Sequence, residues 1–161
     1  MKRLLSAILV LFPMLMFAQE KLPYPCGAAT KFEVKTERSL PLPSVPPDKG
    51  MVIVVRERTM LFNIGVAIDG KWVGATRKDE PNFFYLFLDP GQYKLCAYGA
   101  IGHSNLIPGF LTLNVEPNKT YYVEANYLSD WKKGRATVTV LDPEEGSQLV
   151  KRGYLAVWKQ Q

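Results

Sequence analysis

The sequence predicts an all-β fold: an antiparallel β-sandwich of about 7–9 strands, immunoglobulin-like or prealbumin-like, with one short C-terminal helix. Three observations predict it. Apolar and polar residues alternate with period two in segment after segment from Met51 to Leu141, so one face of each segment belongs to a core. Turn-forming pairs, Asp69-Gly70, Pro90-Gly91 and Pro117-Asn118, punctuate these segments. No stretch of this body carries a sustained helical period.

The chain has 161 residues, enough for one domain, and at 47% hydrophobic and 22% charged it has the material for a core. Residues 1–18 have the layout of a signal peptide. Lys2 and Arg3 are followed by an apolar run from Leu4 to Phe17, then Ala18 and the polar pair Gln19-Glu20. The run is too short to span a bilayer, which takes about 18 or more apolar residues. The expectation is an exported protein, periplasmic or secreted, with no transmembrane span after processing. The formal net charge is +5, and Lys2 and Arg3 leave with the leader. The small remaining excess gives no argument for a nucleic-acid partner.

Residues 19–49 read as an N-terminal arm. Lys31 to Thr36 alternates and suits a short edge strand, whereas Ser39 to Gly50 carries four prolines and reads as an extended surface linker. The sandwich domain is expected over residues 50–161. Met51 to Glu57 is a buried-strand run. Ile64, Val66 and Ile68 share one face of the next strand, and Phe83 to Asp89 is apolar on both faces. In 92–98, Tyr93, Leu95 and Ala97 oppose Gln92, Lys94, Cys96 and Tyr98. Leu111, Leu113 and Val115 alternate with Thr112, Asn114 and Glu116. Tyr121, Val123, Ala125 and Tyr127 line one side of the following segment, and Ala136, Val138 and Val140 line one side of the last of this series.

Asp69-Gly70 is a two-residue hairpin signal, because both residues tolerate positive φ. Trp72, on the strand that follows, has the core or the arm as its packing partner. Asp89-Pro90-Gly91-Gln92 fits a type II turn, and Pro117-Asn118 repeats the pattern with asparagine in the left-handed position. Strands joined this way are expected to be antiparallel neighbours. A helix near 143–152 follows from Asp142 as N-cap, Pro143 at its first position, and Glu144 and Glu145 in its first turn. Gly146 weakens it and Gly153 stops it. Tyr154 to Trp158 returns as a final strand.

The residues that could carry chemistry are few. His103 is the lone histidine, so neither a hydrolase triad nor a zinc ligand set assembles from composition. Asp69, Asp89, Glu116, Asp142, Glu144 and Glu145 each have a turn or cap role. Gly99, Gly102 and Gly109 lack the lysine and spacing of a phosphate loop. No cofactor is implied. Phe83, Phe84, Tyr85, Phe87, Tyr121, Tyr122 and Tyr127 would make a stacking platform if they shared a face. Trp131 to Arg135 offers a small basic cluster, with a solvated loop as the plainer reading.

Cys26 and Cys96 are an even pair in an exported chain, which points to a disulfide. Cys96 lies on the polar face of its strand, so the bond would clamp the arm across the outside of the sandwich. The loop containing Ile101, His103, Leu106, Ile107 and Phe110 is the partner-contact candidate, because apolar loop residues mark partner sites.

In order, IDGKWVG, FFYLFLDPGQYKLC, FLTLNVEPNKTYYVEA and DPEEGSQLV resemble the bacterial domain-of-unknown-function 2846 family over roughly Gly50 to Val150. Tyr93 stands where that family commonly has histidine, and Pro117-Asn118 where it commonly has glycine. The pattern is also similar to PEGA-type carbohydrate- or surface-associated repeats. The resemblance implies an exported β-sandwich and supplies no catalytic residue. Together these features describe a non-catalytic structural or protein-interaction module of the cell envelope, with an envelope protein or a polysaccharide as partner. A carrier of a small lipid or sugar is the alternative, and a hydrolase comes third.

Overall fold

Period-two alternation resolves into two facing sheets. The computed structural model describes residues 26–27, 32–38, 41–57, 62–101, 104–105, 107–130 and 133–160. The leader at 1–18, His103, Leu106 and the 131–132 part of the basic cluster lie outside the described residues. In chain order the elements are β1 (Phe32–Glu37), β2 (Gly50–Arg56), β3 (Ile64–Ile68), β4 (Lys71–Thr76), β5 (Asn82–Leu88), β6 (Gly91–Ile101), β7 (Ser104–Asn105), β8 (Gly109–Val115), β9 (Thr120–Asp130), β10 (Lys133–Val140), α1 (Pro143–Arg152) and β11 (Tyr154–Gln160). One sheet has the order β1-β11-β5-β2-β9-β10. The other runs β4-β3-β6, with β8 paired along β6 and the short β7 on the end of β6. Over the described residues the protein is an all-β sandwich with one short helix.

The topology departs from an antiparallel meander. β2 pairs with β9 in parallel, and so does β11 with β5, so the six-stranded sheet is mixed. β3 and β4 form the hairpin at Asp69-Gly70, where both residues hold positive φ (48° and 79°). The other two turns do not join neighbours. β5 lies in the six-stranded sheet and β6 in the opposite one, so the 89–91 connection crosses the sandwich. Gly91 is not among the glycines with positive φ, and the connection is no type II turn. Pro90 sets its own φ, which suits an arch between layers as well as a hairpin. Asn118 does hold positive φ (56°), yet it too links strands of different sheets, β8 and β9.

Three apolar clusters hold the layers. The central one gathers the inward side chains of both sheets, among them Val52, Val54, Ile64, Val66, Phe84, Leu95, Leu113 and Val123. A second lies on the outer face of the six-stranded sheet. There Met51, Ile53, Val55 and Phe83 are covered by Leu149 and Val150 of α1 and by Leu42 and Val45 of the proline-rich segment. This explains why β2 and β5 are apolar on both faces: each is buried from two sides. The proline segment is a packed strap rather than a bare linker, and β1 is a full strand of the sheet, so the sandwich takes in part of the arm before residue 50. α1 starts at Asp142, whose carboxylate accepts from the Glu144 N–H at 2.9 Å.

The third cluster sits on the outer face of the five-stranded sheet. Cys26 and Cys96 form a disulfide with Cα atoms 5.3 Å apart, and they are only 1% and 4% exposed. Ala67, Trp72 and Tyr98 pack around them. Trp72 therefore packs against the arm, and its ring also meets Phe32 edge-on at 5.0 Å.

Candidate functional site

Helix, strap and disulfide occupy much of the two outer faces, so the edges of the sheets become the places to look. β1 is an edge strand of the six-stranded sheet, paired with β11 from Phe32↔Gln160 to Glu37↔Leu155. Its other side fronts an open groove of about 430 Å³. Residues Phe32 to Lys35 form one wall; Asn63, Arg77 and Lys78 form the other. A second opening of about 260 Å³, lined by Glu33, Lys35, Val157, Trp158 and Lys159, lies beside the same strand.

The far wall is built from the 77–82 loop, and Asn82 explains its shape. Its side chain is buried; its oxygen accepts from the Arg77 N–H at 2.9 Å, and its nitrogen donates to the carbonyls of Arg77 (2.8 Å) and Glu80 (2.7 Å). These bonds close the loop into one conformation, with Asp79 in the left-handed region (φ 79°). Asn63 ties the two walls together. It accepts from the Lys78 N–H at 3.1 Å and donates to the Phe32 carbonyl at 3.5 Å. Thr36 donates to Glu80, and Arg77 Nη1 donates to Thr36 Oγ1 at 3.2 Å. Arg77 and Glu80 also form an ion pair at 3.6 Å.

At the same end of the fold lies Arg56, 1% exposed and opposite Asn82 in the β2–β5 ladder. Its guanidinium donates to Thr76 Oγ1 at 3.4 Å and stands 6.0 Å from the Phe62 ring centre. Burial pushes its pKa down to about 10, partly offset by Asp79, so it stays charged at neutral pH. The groove can therefore hold extended backbone or an anionic group. Its walls offer strand amides and carbonyls on one side and cations on the other.

The residues singled out in the sequence are scattered. Asp69 does more than turn the chain: its carboxylate accepts from the Lys94 N–H at 3.1 Å, and its own N–H donates to the Lys94 carbonyl at 3.0 Å. The hairpin tip is thus pinned to β6. Pro117 and Asn118 sit at one end of the sandwich, where the Asn118 N–H donates to the Lys49 carbonyl at 2.8 Å. The partner loop divides. Ile107, 47% exposed, bonds to Gly134 and Ala136 along the edge of β10. Phe110, 48% exposed, instead pairs with Cys96 across β8–β6, and Lys94 Nζ lies 5.0 Å above its ring. Of Ile101 only the backbone, paired with Ser104, is described. The seven aromatics make no platform: Phe84, Tyr121 and Tyr127 face the central core, whereas Phe83, Tyr85, Phe87 and Tyr122 lie under α1 and the strap. Adjacent residues on a strand point to opposite sides, which divides every aromatic run in this way.

Among the described residues, no group of three or more His, Cys, Asp or Glu gathers as metal ligands do, and no helix is long and apolar enough to cross a membrane. The β1 groove was not legible as a site in the sequence, because its two walls lie some 30 to 45 residues apart in the chain. The polar run Arg77 to Asn82 was its one local signal. Comparison of the chain with protein families, curated proteins and solved structures returns no match.

Proposed function

We propose that this protein is an exported, non-catalytic β-sandwich that serves as a structural or interaction module of the cell envelope. The observation that carries the reading is the buried Cys26–Cys96 bond. A bond that fastens the arm across the five-stranded sheet needs an oxidising compartment to form and persist. The leader-like residues 1–18 and the resemblance to the domain-of-unknown-function 2846 family belong to the same reading. For a partner, an envelope protein or a polysaccharide, the open surface at β1 is the best-formed contact site. The carrier alternative draws no support from the aromatic strands, whose side chains are committed to two packed clusters.

The test is expression of the whole chain from its own leader, followed by fractionation and non-reducing mass analysis. The expected product is an exported protein lacking the leader, with no thiol open to alkylation. Recovery of the unprocessed chain from the intracellular fraction with two alkylatable cysteines would overturn the proposal.

A further inference from the structure

An edge strand is normally guarded against other strands by a charge, a proline, a bulge or a covering segment. β8, at one edge of the five-stranded sheet, has none of these among the described residues. It pairs with β6 alone and without a break in register, and its seven residues carry no charge and no proline. The neighbouring edge, β10, does have a cover, in Ile107 bonded to Gly134 and Ala136. The outward groups of β8 follow from β6. The Lys94 N–H and carbonyl both bond to Asp69, on the β3 side. Backbone groups alternate along a strand, so those of Tyr93, Leu95 and Ala97 point to β8, where they meet Leu113, Leu111 and Gly109. The N–H and carbonyl of Phe110, Thr112 and Asn114 therefore point away from β6, and among the described residues no backbone bond reaches them.

The facing sheet overhangs this edge. A Cβ on Gly109 would meet the Ala136 carbonyl oxygen at 2.5 Å, and a Cβ on Gly50 would meet Val115 Cγ1 at 2.3 Å. β8 thus starts over β10 and ends over β2, two strands inward in the order β2-β9-β10. Two strand spacings are about 10 Å, so the inner side of β10 is left uncovered towards its end. Val140 marks the gap: Ala136 and Val138 share its face and are 0% and 6% exposed, whereas Val140 is 50% exposed. We propose that one extended segment of a partner protein adds to β8 as a further strand and lies on this shelf. The segment alternates in polarity. Its inward residues are apolar and cover Val140 and the half-buried Leu111, and its outward residues are uncharged and lie beside Phe110, Thr112 and Asn114. A second copy does not fit. A two-fold axis joining β8 to β8 would run half a strand spacing outside it, whereas at Thr112 β10 already reaches about a full spacing outside, so the two β10 strands would collide. This partner class rests on the interaction-module reading and deepens it; its test uses purified oxidised protein, so failure here is distinct from a failure of export.

The probe is a short synthetic peptide of alternating valine and threonine, with a lysine at each end for solubility, titrated into the protein and followed by NMR. The Phe110, Thr112 and Asn114 amides should shift and saturate. A strand presents the amides of alternate residues on opposite edges, so N-methylating either the valines or the threonines should abolish binding for one set and spare it for the other. Thr112→Pro removes an outward N–H and leaves the β6 ladder intact. Val140→Lys places a charge on the shelf at an exposed position. Each variant should weaken binding about tenfold or more, with an unchanged urea midpoint as the check on folding. No response at about 1 mM peptide overturns the proposal. So do equal effects of the two methylations, binding indifferent to both variants, or amides that respond instead to the protein's own concentration or to dextran.

Discussion

Replacing Gly146 by alanine separates helix propensity from packing. In an exposed helix interior the change is stabilising by about 1 kcal/mol. Here α1 lies against β9, and a Cβ at position 146 would stand 2.2 Å from Tyr122 Cγ and 2.3 Å from its Cβ. The tyrosine Cβ is fixed by the β9 backbone, so no rotamer change relieves the 2.3 Å contact. Ordinary contact begins near 3.4 Å, so helix and sheet must part by about 1.1 Å, the difference between 3.4 and 2.3 Å. Leu149 and Val150 would be drawn away from the outer cluster with it. Overpacking of this kind costs about 1–3 kcal/mol, and a gap near 1 Å forfeits up to roughly half of each dispersion contact. After the propensity gain, Gly146→Ala should destabilise the protein by up to about 2 kcal/mol. Urea denaturation of the oxidised protein reads this as a lower midpoint at unchanged slope. A raised midpoint would show that α1 does not pack on Tyr122 as described.

Two further outcomes are expected. Cys26→Ala with Cys96→Ala opens a closure of 70 residues; the chain-entropy relation puts the loss at about 4 kcal/mol, and equal urea midpoints for the variant and the oxidised protein would refute the clamp. Glu124 is half-buried, and its carboxyl is held above the usual range by burial first, then by Glu57, against a hydrogen bond from Asn126, with Glu145 adding to the rise. A raised folded-state pKa means stability that is present in full below the unfolded pKa and lost as pH rises through the folded one. Glu124→Gln should therefore match wild type at acid pH and become the more stable of the two towards neutral pH, read from thermal midpoints across that range; an advantage confined to acid pH would reverse the assignment.

Much of the local structure was legible. The Asp69-Gly70 hairpin, the helix beginning after Asp142 and the faces of β3, β8 and β9 follow from backbone tolerance, capping and alternation within a few residues. The pairing of Cys26 with Cys96 followed from there being two cysteines, one of them on an outward face. The site was far less legible. Asn82 reads as the polar start of an aromatic strand, and only the fold shows it holding the loop that forms a wall of the β1 groove. Arg56 closes a buried-strand run, and its burial beneath Phe62 and beside Thr76 depends on residues distant in the chain.

Sequence alone determined which side of each strand is apolar, where the chain bends, and that the two cysteines are available to each other. Tertiary structure alone decided which sheet each strand joins. It sent β5 and β6 to opposite layers across Pro90-Gly91, paired β2 with β9 in parallel, and made Gly146 a point of close approach rather than a weakness. The reason is one of range. Alternation and turn chemistry act within about two to four residues, whereas strand order is settled by which apolar faces find each other across the whole chain.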